Sequence, residues 1–118
     1  MKAARARAER RGRKGEALAA WYLRTKGWRI VARRVKTPRG EIDLVARRGR
    51  TVAFVEVKWR ETAAARDLSI DANRLRRVMA GAIGVAHQYA PAGEDVRVDV
   101  ILLAPWRWPV VITNASLG

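Results

Sequence analysis

The chain has 118 residues, 49% of them hydrophobic, which suits one domain with a real core and argues against wholesale disorder. It has no cysteine, which excludes disulfides and thiolate zinc sites, and no apolar run near the roughly 18–20 residues that span a bilayer. Its 25 Lys and Arg against 11 Asp and Glu leave a net charge of +14, an excess that favours nucleic acid as partner ahead of an acidic membrane surface.

Residues 1–14 carry seven basic side chains and one acid, and are read as a basic flexible arm passing into a helix. No apolar stretch of the secretion-signal kind follows, so a soluble, cytoplasmic protein is expected. A single domain is assigned to residues 15–118. Over 15–26, Leu18, Trp21 and Tyr22 recur at helical spacing, and Gly27 is placed to stop that helix. Residues 28–36 read as a first strand, closed by the turn sequence Thr37-Pro38-Arg39-Gly40. Residues 41–47 and about 51–59 read as a hairpin joined by a short Arg48-Gly49 link. Leu75, Val78, Met79, Ala82, Ile83 and Ala86 mark a helical face over 71–90. Gly81 and Gly84 inside it call for tertiary packing or a close approach. Strands follow at 96–103 and 109–113, giving one α/β domain of order α-β-β-β-α-β-β.

The carboxylates carry the chemistry. Between Glu16 and Glu61 there are twelve basic residues and only three acids, Glu41, Asp43 and Glu56, all inside the expected hairpin among Ile42, Leu44, Val55 and Val57. An acid set into an apolar strand is costly to bury and calls for an explanation. Strand side chains alternate faces, so Glu41 pairs in direction with Asp43, and Glu56 with Lys58. With an even-numbered hairpin loop, odd positions oppose even ones and all four crowd on one side; a three-residue loop or an added bulge would break this.

Such a cluster suits metal-assisted phosphodiester hydrolysis. Oxygen ligands from Asp43 and Glu56, with the backbone carbonyl of Val57 beside them, match Mg²⁺ or Mn²⁺, and Lys58 is placed to orient a water or steady developing charge. The same residues also suit a salt-bridge cluster in which Lys58 neutralises Glu56 and Asp43. Glu16 and Glu41 are candidate accessory acids. Arg97 and Asp99 read as an i,i+2 ion pair. Trp28, Trp59, Trp106 and Trp108 are candidate base-stacking residues, most of them expected in the core or a lid. Arg39, Arg60, Arg74, Arg76 and Arg77 are the candidate phosphate contacts.

Gly40-Glu41-Ile42-Asp43-Leu44-Val45-Ala46, Phe54-Val55-Glu56-Val57-Lys58, Arg97-Val98-Asp99-Val100 and the helix opening Gly15-Glu16-Ala17-Leu18-Ala19 together resemble the YraN family of small bacterial proteins, over about residues 12–115. The resemblance implies a restriction-endonuclease-like fold related to Holliday-junction resolvases, with a central mixed five-stranded sheet flanked by helices. It further implies that Asp43, Glu56 and Lys58 are the residues of a PD-(D/E)xK nuclease core, with Glu16 an added acid brought in by the first helix. Val98 replaces the aromatic ring of the family's RFD motif, and Asn73-Arg74 stands where Lys or Gln is frequent. The function expected is a Mg²⁺- or Mn²⁺-dependent deoxyribonuclease, with branched or damaged DNA as candidate substrate and DNA ahead of RNA. A homodimer would suit a two-strand substrate, and the alternative is a non-catalytic nucleic-acid-binding module of the same fold.

Overall fold

The computed structural model describes residues 2–59 and 72–113, with side chains from Arg13 onward except at 72 and 74. In chain order the elements are α1 (Lys2–Thr25), β1 (Arg29–Thr37), β2 (Gly40–Arg48), β3 (Thr51–Trp59), α2 (Ala72–Tyr89), β4 (Asp95–Leu103) and β5 (Val110–Ile112). The expected order α-β-β-β-α-β-β is the order observed. The first helix differs at its start. It begins at Lys2 rather than Gly15 and runs without a break through the segment read as a flexible arm, because Ala, Arg, Lys and Glu are among the best helix formers and dominate residues 2–14.

Helix α1 ends where the sequence places its stop. Gly27 takes a left-handed φ of 89°, and the amides of Gly27 and Trp28 donate to the carbonyls of Arg24 and Leu23, each at 3.0 Å. This is the paired capping pattern that a C′ glycine permits. Trp28 and Leu23 then bury together beneath the helix, which fixes the direction in which β1 leaves.

The five strands form one sheet in the order β1-β2-β3-β4-β5. Only β3 and β4 are parallel; the other neighbours are antiparallel. A parallel neighbour requires a crossover, and α2 lies in that connection. Two apolar layers sandwich the sheet. On one face Ala19, Ala20 and Leu23 of α1 pack with Trp28, Leu44, Ala46, Ala53, Val55, Ile101 and Leu103. On the other, Val78 and Ala82 of α2 pack with Ile42, Val45, Val52, Phe54 and Val98. Burial of these apolar side chains, each about 1.5–3 kcal/mol for the larger ones, holds the layers together.

Arg48 pairs with Thr51, so the β2–β3 loop is Gly49-Arg50, one residue later than Arg48-Gly49 and still of even length. Gly49 supplies the positive φ of 59° that this turn needs. Thr37 pairs with Gly40 across the β1–β2 turn, with the Thr37 hydroxyl donating to the Gly40 carbonyl at 2.6 Å and accepting the Arg39 amide at 3.1 Å. At the far end Glu94 accepts from Arg47 and from the Ala92 amide, both at 2.7 Å. Its own backbone amide, the Ala92 amide and Arg47 hold its carboxyl below the usual range despite its burial.

Candidate active site

The parity of the two tight turns assembles the site. In the β2–β3 register, where Leu44 faces Val55, Asp43 falls opposite Glu56. In the β1–β2 register, where Arg33 faces Leu44 and Val35 faces Ile42, Arg34 falls opposite Asp43 on the other side. Asp43 is thus the central position of a three-strand row.

The sheet is irregular at that row. Leu44 and Ala46 pack on the α1 face, while Val45 and Ile42, three residues apart, both pack on the α2 face. Simple alternation therefore slips by one residue between Ile42 and Val45, at Asp43. Directly across, Arg34 has a φ of 50°, a conformation that costs a non-glycine residue about 1–2 kcal/mol. Beyond Leu44↔Val55 the strands are joined through a side chain: the Val57 amide donates to Asp43 Oδ2 at 2.7 Å. The Asp43 carboxylate is wedged between β2 and β3 and satisfies a strand amide there.

Asp43 is only 9% exposed and Glu56 1%. Burial first, then the negative charge of Glu56, a hydrogen bond with Glu56 and the charge of Glu16 raise the Asp43 carboxyl to about 7, against a smaller opposing effect from the Val57 amide. A buried carboxyl held up by neighbouring negative charge marks a place that favours a cation. Lys58 Nζ stands 3.6 Å from Glu56 Oε1.

Glu16 and Glu41 also lie close to Asp43. Carboxylate oxygens of Glu16, Glu41 and Asp43 are all within 4.8 Å of one another. Glu16 follows the buried Gly15, where α1 packs on the sheet: a Cβ at Gly15 would meet Leu103 Cδ1 at 3.6 Å and Val57 Cγ1 at 3.8 Å, ordinary contact distances. Arg34 Nε donates to Glu16 Oε2 at 2.8 Å, and the hydrogen bond and charge of Glu16 raise the Arg34 guanidinium further, with Glu41 and Asp43 adding to the effect.

The acids named from sequence are therefore together, in a different grouping. Asp43 hydrogen-bonds Glu56, and the three acids whose oxygens lie within 4.8 Å of one another are Asp43 and the two accessory acids, Glu16 and Glu41. The four hairpin residues do not share one face by alternation. Val55, Val57 and Trp59 pack on the α1 side, so Glu56 and Lys58 leave β3 in the opposite direction and meet Asp43 across the splay between the strands. Arg34 was missed by sequence reasoning, although counting back through the Thr37-Pro38-Arg39-Gly40 turn puts it opposite Asp43.

The remaining candidates are scattered. Arg39 is exposed at the β1–β2 turn, and Arg76 and Arg77 are exposed on α2, over the face away from Glu16. Arg76 bonds Asn73. Arg60 and the side chain of Arg74 lie outside the described residues. Arg97 and Asp99 form the expected pair at 3.2 Å, with the Arg97 guanidinium 5.0 Å above the Trp28 ring. Trp28 is core and Trp59 packs under α1, but Trp106 and Trp108 are exposed rather than core. Proline at 105 and 109 and the short β5 leave their loop outside the sheet's two layers. No helix among the described residues is long and apolar enough to cross a membrane.

Residues 15–103 match the model of "Uncharacterised protein family UPF0102". The chain is 65% identical over 108 residues to a UPF0102 protein of Erythrobacter litoralis, covering 92% of this chain and 93% of that one. It is 60% identical over 114 residues to a UPF0102 protein of Rhizorhabdus wittichii, covering 97% of each. A UPF0102 protein of Sphingopyxis alaskensis is 61% identical over 105 residues, covering 89% of this chain and 90% of that one.

Proposed function

The chain belongs to the protein family UPF0102, the YraN family, and we propose that this member is a metal-dependent nuclease that hydrolyses phosphodiester bonds in DNA. One observation carries the reading: a chain of net charge +14 brings Glu16, Glu41 and Asp43 within 4.8 Å of one another, with Glu56 beside an Asp43 that is buried and has its carboxyl raised to about 7. Repulsion among these groups makes the arrangement a poor structural device and a good receptor for a positive ion.

The donor set fits a hard divalent cation. It offers carboxylate oxygens without sulfur or imidazole, the preference of Mg²⁺ and Mn²⁺. Asp43, Glu16 and Glu41 would hold the ion, with Glu56 next to Asp43. Bound there, it would polarise a phosphate oxygen and lower the pKa of a bound water.

The chain's own groups supply the rest. The Val57 amide fixes the Asp43 carboxylate in place, so the ligand is preorganised before substrate arrives. Lys58, paired with Glu56, is the cation next to the buried acids and serves to orient the attacking water or to neutralise charge on the phosphate. Arg34 holds Glu16 and is near enough to the acids to feel Glu41 and Asp43; it serves as a second positive group for a phosphate. The basic surface draws in the nucleic-acid backbone without selecting sequence.

The test is a panel of linear, flapped and four-way DNA incubated with and without Mn²⁺. Cleavage of at least one substrate only with the metal supports the reading. Tight DNA binding with no cleavage of any substrate would move the non-catalytic binding module ahead.

A further inference from the structure

We propose that the loop at residues 105–109 is a second nucleic-acid contact, which stacks unpaired DNA bases on Trp106 and Trp108 while Arg107 holds the backbone between them. The inference rests on the nuclease reading for its partner and adds the structural feature of DNA that the protein selects.

The sequence here is Pro105-Trp106-Arg107-Trp108-Pro109. Trp106 is 100% exposed and Trp108 76% exposed, although indole rings, with about 150–250 Å² of burial to gain, are normally covered. Trp106 holds a φ of 59°, a left-handed conformation usual for glycine and costly for a ring-bearing residue. The Arg107 amide donates to the Ala104 carbonyl at 3.4 Å, which folds the loop back on the end of β4, and the Arg107 side chain is exposed.

Position and charge specify the occupant. In the parallel β3–β4 register Lys58 faces Leu102 and Trp59 faces Leu103, so the loop leaves the sheet at the end where β3 delivers Glu56 and Lys58. No acid occurs after Asp99. Two exposed indoles flanking a guanidinium, beside a phosphodiester-cutting site on a basic chain, match the chemistry of a strand with splayed bases: aromatic faces for the bases and a cation for the phosphates. Inside a paired duplex the base faces are stacked on one another, out of reach of such a loop.

The experiment measures binding of the full chain in EDTA, where no cleavage occurs, by fluorescence anisotropy. Three labelled DNAs are compared: a blunt duplex, the same duplex with a single-stranded thymidine tail, and one with an abasic tail of equal length, which has the same phosphates and no bases. Wild type is expected to prefer the thymidine tail to the abasic tail. The double variant Trp106→Ala/Trp108→Ala is expected to lose that preference, weakening thymidine-tail binding by about 5- to 100-fold while leaving the blunt duplex within about twofold. Trp106→Phe should keep most of the preference, and an unchanged melting temperature checks that the exposed positions were altered without unfolding.

Equal wild-type affinity for the two tails, or equal weakening of all three DNAs in the double variant, overturns the proposal. So does Trp-dependent binding to anionic vesicles in place of tailed DNA. A base-dependent preference in a protein that cuts nothing supports the loop while overturning the enzyme reading. Metal-dependent cutting without any base-dependent preference does the reverse.

Discussion

Asp43 joins the local structure to the proposed chemistry, because one carboxylate both bonds the Val57 amide and faces Glu56 and Glu16. Its ionisation sets a pH dependence with a definite sign. In the unfolded chain the group loses its proton near 3.8, and in the fold near 7. The folded protein therefore binds more protons between these values. The stability this group contributes is full below pH 4 and is lost as pH rises through 7, by on the order of a few kcal/mol. Without metal, Asp43→Asn should raise the melting temperature at pH 8, change it little at pH 4, and flatten the slope between. Mn²⁺ should stabilise wild type at pH 8 by taking the proton's place and should stabilise Asp43→Asn much less. Thermal melts at three pH values, with Mn²⁺ and with EDTA, check both. A variant less stable than wild type at pH 8 in EDTA would contradict this sign.

Among the elements, the two helix glycines have different jobs. A Cβ on Gly81 would lie 2.7 Å from Thr37 Oγ1, and that hydroxyl is already tied to Gly40 and Arg39. Gly81→Ala should destabilise by about 1–3 kcal/mol. Gly84 has nothing within 4 Å, so Gly84→Ala should stabilise by about 0.5–1 kcal/mol through helix propensity alone. Denaturant unfolding of the two variants should move the midpoint in opposite directions. Element order, the helix stop and the two turns, the second displaced by one residue, were legible in periodicity and in Gly and Pro placement, since these are local effects. The register that sets Asp43 opposite Glu56 was legible too, because it needs only an even loop. Two features were not. The slip in alternation at Asp43 arises from the wedge of a carboxylate between strands, which no period-2 pattern encodes. Glu16 approaches Asp43 through the packing of α1 across β3, a long-range contact on which spacing along the chain is silent.

For the whole molecule, charge and fold act at different ranges. The net +14 attracts any nucleic acid, so binding of a plain duplex should weaken steeply with salt, log K falling by about 0.9 per phosphate contacted for each unit of log salt. Deleting residues 1–14, which hold seven of the basic groups, should make that slope shallower; an affinity indifferent to salt would remove electrostatics from the account. Attraction alone does not cut DNA, and the central claim is that the acids around Asp43 do so with a divalent cation. Asp43→Asn and Glu56→Gln keep shape while removing negative charge, and Lys58→Ala removes the neighbouring cation. The most direct measurement is Mn²⁺-dependent cleavage by wild type and these three variants, with duplex affinity determined in parallel. All three substitutions are expected to abolish cleavage; the two acid variants should bind DNA as well as or better than wild type, and Lys58→Ala slightly less well. Cleavage that survives all three substitutions unaltered would contradict this, placing the activity elsewhere than at Asp43, Glu56 and Lys58.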